Sequence, residues 1–315
     1  MTRGTQHDRH VSRPERVDHR VDGRQLWRAG RALSASSARP PGRAIGTVTR
    51  GTTNTNRLRR VDRWIAEQFR TRSALRAVSG PLIVDLGYGA SGVTAFELER
   101  RLRRVRHDVR VLGLEIEPGR VARAREQLGR VRAGQTPFAA DARVSFARGG
   151  FEVPTPGGEA VAVIRAFNVL RQYDESEVAE AWRLMRSRLM PDGMLVEGTC
   201  DELGRVASWV AISPAAPQSF TVSLRLAELE RPSIVAERLP KALIHRNVPG
   251  ERVHAFLAAL DEAWAHAAPL STYGPVQRWI ATVERMRETG WPVLAGRSRW
   301  RLGELSVPWE AVAPG

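Results

Sequence analysis

The sequence predicts an α/β fold, a doubly wound sheet of mostly parallel strands with helices on both faces, and three observations predict it. From residue 81 to 200, short apolar runs alternate with longer segments whose apolar residues recur at three- and four-residue steps. The runs are continuous rather than alternating, as expected of strands covered on both faces. A glycine-rich turn, "VDLGYGASG" at 84–92, follows the first run and opens a helix.

Ahead of the sheet, residues 1–47 are rich in Arg, Ser, Pro and Gly and have no period, so they are expected to be a disordered basic extension. Val48, in "VTRGTTNTNRLRR", is a candidate native start. Of the net charge of +15, residues 1–60 supply +10, from 14 arginines against four acids. The remainder is only mildly basic, which favours a small-molecule partner over nucleic acid. The single cysteine, Cys200, excludes an intramolecular disulfide and a multi-cysteine metal site. With no apolar run near 20 residues and no secretory signal, no metal and no membrane partner are expected, and the cytoplasm is the expected location.

Leu58, Val61, Trp64, Ile65 and Phe69 give one apolar face to a helix that Gly80 stops, so residues 48–80 read as an N-terminal helical segment and 81–315 as one domain. Strands are expected at 81–86, 109–115, 142–148, 160–167 and 193–198, with helices after the first, second and fourth. Asp174 and Glu177 have capping-box spacing before the helix that buries Val178, Ala181, Trp182, Met185 and Leu189. Segments 220–229 and 299–309 read as two more strands, flanking a helical insertion at about 230–298 with helices near 251–267 and 275–289.

In such a sheet the ligand sits beyond the carboxyl ends of the strands, against the first glycine turn. Gly87, Gly89 and Gly92 suit close backbone approach, a pattern shared by several nucleotide cofactors. Asp85 discriminates among them: a carboxylate there repels a pyrophosphate and attracts a cationic group such as an ammonium. Glu115, ending the second strand, fits a ribose diol, and Glu117 is its rival for that place. Pro118 suits the first turn of the next helix and makes Glu115 the last strand residue.

Taken together, "VDLGYGASG", "VLGLEIEPGRV" and "LMPDGMLVEG" resemble the glycine motif, the second-strand acidic motif and the turn before the fifth strand of class I S-adenosylmethionine-dependent methyltransferases. "IRAFNVLRQYDESE" is similar to a segment of the chemotaxis receptor methyltransferases. The likeness covers about residues 80–200. It implies a Rossmann-like seven-stranded sheet whose last strand is antiparallel, with 220–229 and 299–309 as its sixth and seventh strands. It also implies S-adenosylmethionine as cofactor, bound by Asp85, Gly87, Gly89, Gly92, Glu115, Gly150, Phe151 and Asn168. The methyl acceptor would lie near Arg171 and Tyr173, with His245 on the insertion.

Three departures stand out. Ala90 and Ser91 lengthen the turn before Gly92, Asp192 replaces a glycine, and Gly149-Gly150 replaces the Gly-Asp pair whose acid meets adenine. Adenine would then rest on backbone groups and the Phe151 ring. There is no Asp/Asn-Pro-Pro-Tyr motif and no cysteine pair, so no catalytic base is assigned. A methyltransferase of unidentified acceptor is the expected function. The alternatives are a catalytically silent S-adenosylmethionine-binding regulator and an NAD(P)-dependent oxidoreductase.

Overall fold

The computed structural model describes Met1, residues 44–49, Gly51 and residues 53–315. The expected disorder of 1–47 lies outside these residues except at Ala44–Thr47, which are docked on the domain (below). Residues 44–315 form one compact unit.

Among the described residues, eight strands form one sheet in the order β3-β2-β1-β4-β5-β6-β7-β8. Strands β1 (Leu82–Leu86), β2 (Arg110–Glu115), β3 (Val144–Arg148), β4 (Val161–Phe167) and β5 (Leu189–Cys200) are parallel. Strands β6 (Val206–Ile212), β7 (Pro217–Leu224) and β8 (Glu304–Pro308) continue as an antiparallel meander. The fold class is as the sequence predicts, but the strand count is eight rather than seven, and β6 is the strand that sequence reading omitted. The chain reverses directly after β5, where Asp201 Oδ1 accepts the Arg205 and Val206 amides at 2.7 and 3.2 Å. The expected sixth and seventh strands are therefore β7 and β8, with Arg297–Trp300 a short helix rather than strand.

Helices α1 (Arg59–Thr71), α2 (Ser73–Ala77), α3 (Val93–Leu102) and α4 (Pro118–Arg132) cover one face, packing on Ile83, Val111, Val163, Val196 and Trp209. On the other, α5 (Glu175–Arg186) and the helical insertion pack on Val84, Leu112, Ile164, Leu195 and Val210. The capping box of Asp174 and Glu177 starts α5 as expected. Leu189 begins β5 instead of ending that helix. The first helix does not run unbroken to Gly80: Arg72 is extended, and the one-turn α2 carries Leu75 into the core.

One glycine contact fixes how α3 approaches the sheet. A Cβ on Gly92 would lie 2.5 Å from the Phe146 ring. Gly92 has an ordinary negative φ and stands at the α3 N-cap, so here its small size lets the Phe146 ring approach.

Candidate functional site

A cavity of about 470 Å³ opens at the carboxyl ends of β1 and β4. Asp85, Gly87, Gly89, Asn168 and Arg171 line it, joined by Arg57, Thr94, Glu202 and Arg238, which sequence reading did not single out. Gly87 and Gly89 have φ of 69° and 81°, a region costly for any residue with a Cβ, and bring the turn's backbone to the cavity wall. Asn168, at φ 59°, is fixed by its side-chain oxygen accepting the Cys200 amide at 3.0 Å.

Asp85 is not a free carboxylate. Arg165 of β4, fully buried, donates from Nε to Asp85 Oδ1 at 3.0 Å, and its Nη2 pairs with Oδ2 at 2.7 Å while donating to the Thr94 carbonyl at 3.1 Å. Thr94 donates its hydroxyl to Asp85 at 2.7 Å, and the other Arg165 nitrogen is hydrogen-bonded to Asp62 of α1. Asp62 is shared in turn with Arg101 at 2.6 Å, which also approaches Glu97 at 3.3 Å. Burial alone would lower the Arg165 pKa, but Asp62 and Asp85 hold it above the usual value. The network sets three carboxylates, Asp62, Asp85 and Glu97, against two guanidinium groups. Burial raises the Asp62 pKa against the pull of Arg165 and Arg101, and Asp85 is the network's member on the cavity wall.

The amides that would cradle a phosphate are already engaged. Gln127 Oε1 accepts the Gly92 amide at 2.9 Å, and Ser91 Oγ accepts that of Val93 at 3.4 Å. An anion bound at a helix N-terminus needs such donors. With a carboxylate network behind the turn and these amides occupied within the chain, the site disfavours a pyrophosphate and suits a cation.

Of the two acids expected on the ribose side, Glu115 is the last residue of β2 and Glu117 is the α4 N-cap. The buried Glu115 carboxylate accepts the Gly89 amide at 3.0 Å and the Ile116 amide at 2.9 Å, with Arg120 at 3.5 Å. Glu117 instead caps α4, accepting the Gly119 and Arg120 amides at 2.8 Å each, which hold its carboxyl below the usual range.

Gly150, Phe151 and Tyr173 lie apart from the main cavity, around a remnant of about 10 Å³ that Glu115 and Gly149 also line. Thr47 and Thr49 join its lining. Tyr173 stacks near Phe151, ring centroids 5.2 Å apart, and its hydroxyl is bonded to Thr47, so it belongs to this side and not with Arg171. His245 is exposed at the end of the short helix Lys241–Ile244 and outside the cavity lining, so it is not part of the site.

Positive charge also lines this cavity: Arg57, Arg171 and Arg238 share its wall with Asp85 and Glu202. Arg238 approaches Glu202 at 3.6 Å, and Arg171 donates to the Glu237 carbonyl at 2.8 Å. A backbone amide and the charges of Arg238, Arg57 and Arg171 hold the Glu202 carboxyl below its usual range. Burial and the neighbouring Arg238 lower the pKa of Arg171.

The fold and this site define an open α/β domain with a ligand cleft at the carboxyl ends of its parallel strands. No protein-family model matches the chain, and no curated protein matches it. Among solved structures it is similar to the CcbJ methyltransferase from Streptomyces caelestis, at 19% identity over 52% of this chain and 64% of that one, with a TM-score of 0.33. The mitomycin 7-O-methyltransferase MmcR matches at 25% identity over 38% and 31%, with a TM-score of 0.29. The [4+2]-cyclase SpnF matches at 22% identity over 44% of each chain, with a TM-score of 0.31. The chain thus spans less than two thirds of the length of each. At this level of superposition the likeness assigns no activity, and the site's own geometry has to carry it. Among the described residues, no helix is long and apolar enough to cross a membrane.

Proposed function

We propose that the protein is an S-adenosylmethionine-dependent methyltransferase acting on a small molecule that bears an anionic group. One observation carries the reading. Asp85, in a network of three carboxylates and two guanidinium groups, walls a 470 Å³ cavity beside Gly87 and Gly89, while the first amides of α3 are engaged by Gln127 and Ser91. This environment favours an ammonium over a pyrophosphate, which argues against the nicotinamide alternative.

The fit is uneven along the cleft. The cavity suits the methionine portion of the cofactor, whereas residues 45–49 and Gly51 lie across the adenosine portion. When bound, the cofactor supplies an electrophilic methyl group. The chain's own part is to hold the acceptor in line and exclude water, a contribution of several kcal/mol that needs no general base. Asn168, fixed by Cys200, faces the cavity, and Arg57, Arg171 and Arg238 provide charge to orient a carboxylate or phosphate on the acceptor.

Thermal unfolding with S-adenosylhomocysteine and with NADP tests the cofactor. A ligand at 100 times its Kd stabilises the native state by about 2.7 kcal/mol, expected for the first and absent for the second; the reverse would overturn the reading. Asp85→Asn keeps the shape of the network and should weaken S-adenosylhomocysteine by about tenfold or more, as loss of a charged partner does. An unchanged Kd would remove the ammonium role. The filled adenosine region gives specific support to a second reading, a catalytically silent relative. Incubation with methyl-labelled cofactor and cell extract separates the two, since a silent relative labels no fraction.

A further inference from the structure

The segment that crosses the adenosine side of the cleft docks through its backbone. The Ile45 carbonyl accepts the Phe151 amide at 2.9 Å, and the Ile45 amide donates to Glu152 Oε2 at 2.7 Å. The Thr47 amide donates to the Tyr173 hydroxyl at 2.6 Å, and that hydroxyl donates to the Thr47 carbonyl at 3.2 Å. Arg120 donates to the Thr49 carbonyl at 2.8 Å. Gly51 then lies on the Gly89 backbone, where a Cβ on Gly51 would be 2.8 Å from the Gly89 Cα. The chain thus passes over the ends of β3, β2 and β1 in turn, the crevice in which a doubly wound sheet binds a nucleoside.

Its contacts use up the groups that a nucleoside would need. The Phe151 amide follows the third strand, where an adenine ring nitrogen would be met, and it is occupied by Ile45. A Cβ on Gly150 would collide with the Ile45 carbonyl, so backbone lies directly on backbone. About 10 Å³ is left, room for one water molecule at most.

We propose that residues 45–49 and Gly51 are an intramolecular occupant of the adenosine site, which the cofactor must displace in order to bind. The inference rests on the cofactor reading above. The hold is of a releasable kind: the Ile45 and Val48 side chains are 44% and 53% exposed, so hydrogen bonds rather than apolar burial secure the segment. The segment therefore sets the apparent affinity of the site, because a ligand that binds only the open form is weakened by the fraction of molecules that are open.

Gly46 gives a test on the full chain. Its φ of 126° is a glycine conformation, and a Cβ there would lie 2.8 Å from the Tyr173 hydroxyl and 3.0 Å from Ile116 Cδ1. Gly46→Val should release the segment, and Thr47→Pro should do so independently by removing the amide that Tyr173 accepts. Calorimetric titration with S-adenosylhomocysteine should show Kd lowered by about tenfold or more in both variants. Hydrogen exchange of the wild type should show the Ile45 and Thr47 amides exchanging faster when ligand is present. Equal Kd values in all three proteins, or stronger amide protection with ligand, would overturn the displacement while leaving the cofactor reading intact. Failure of all three to bind would remove the cofactor reading itself, and this inference with it.

Discussion

Arg165→Met should destabilise the protein by about 3–5 kcal/mol at pH 7, read as a lower urea midpoint with an unchanged slope. Arg165 is fully buried and is the only group joining Asp62 of α1 to Asp85 of β1 in the hydrogen-bond network described. Methionine fills a similar volume, so the loss is not one of packing. It comes from leaving two carboxylates in the interior with Arg101 and the Thr94 hydroxyl as their remaining partners. The pH dependence separates this cause from a cavity. In the variant, the stranded carboxyls are pushed above their unfolded values, so the folded state retains protons that the unfolded chain has released as pH rises past about 4. The deficit should then be largest near pH 7 and shrink toward pH 4. A cavity would cost the same at both, and a loss under about 1 kcal/mol at pH 7 would show that the network is not load-carrying.

The same network changes what substitutions at Asp85 report. Asp85→Ala strands Arg165 as well as removing a ligand contact, so weaker binding would be confounded with a damaged fold. Asp85→Asn keeps the geometry and is the cleaner probe.

The five parallel strands and their helices were legible because each is bounded by strong punctuation and has one clear period. The glycines after β1 and the capping box before α5 are local signals. Strand β6 was missed although "VASWVAI" is a seven-residue apolar run between Gly204 and Ser213, because a run of that kind reads as strand or buried helix without alternation. At the site, Asp85, the turn glycines and Glu115 were legible from their place at strand ends. Arg165 carried a signal of its own, a lone charge inside the apolar "AVAVIRAF", which asks for a buried counter-charge. That the counter-charge includes Asp62 was not legible, since the two residues are 103 positions apart and no local period joins them. Nor was the docking of residues 45–49 and Gly51, which is made by backbone groups that every sequence possesses. Tyr173 and Glu115 seemed available to a ligand from sequence, while in the fold the chain itself engages both.

Glu197→Gln should stabilise the protein, by roughly 3–5 kcal/mol at pH 8 and by little at pH 4. Glu197 lies on β5 between Ala166 of β4 and Val210 of β6, fully buried, and neither carboxyl oxygen has a hydrogen-bond partner among the described residues. Burial pushes its carboxyl up to about 8, with the Trp182 indole pulling the other way. An unfolded glutamate titrates near 4.3. Between these two values the native chain binds a proton that the unfolded chain has lost, so the contribution of Glu197 to stability falls steadily as pH rises and levels off above the folded value. Glutamine has the same shape and no proton to lose, so the variant should lack this slope. Urea unfolding of both proteins at pH 4, 6 and 8 isolates the effect, because every other titrating group is common to the pair. Parallel stability curves would mean that Glu197 ionises in the folded state as easily as in the unfolded one, which requires a water or cation at its carboxylate.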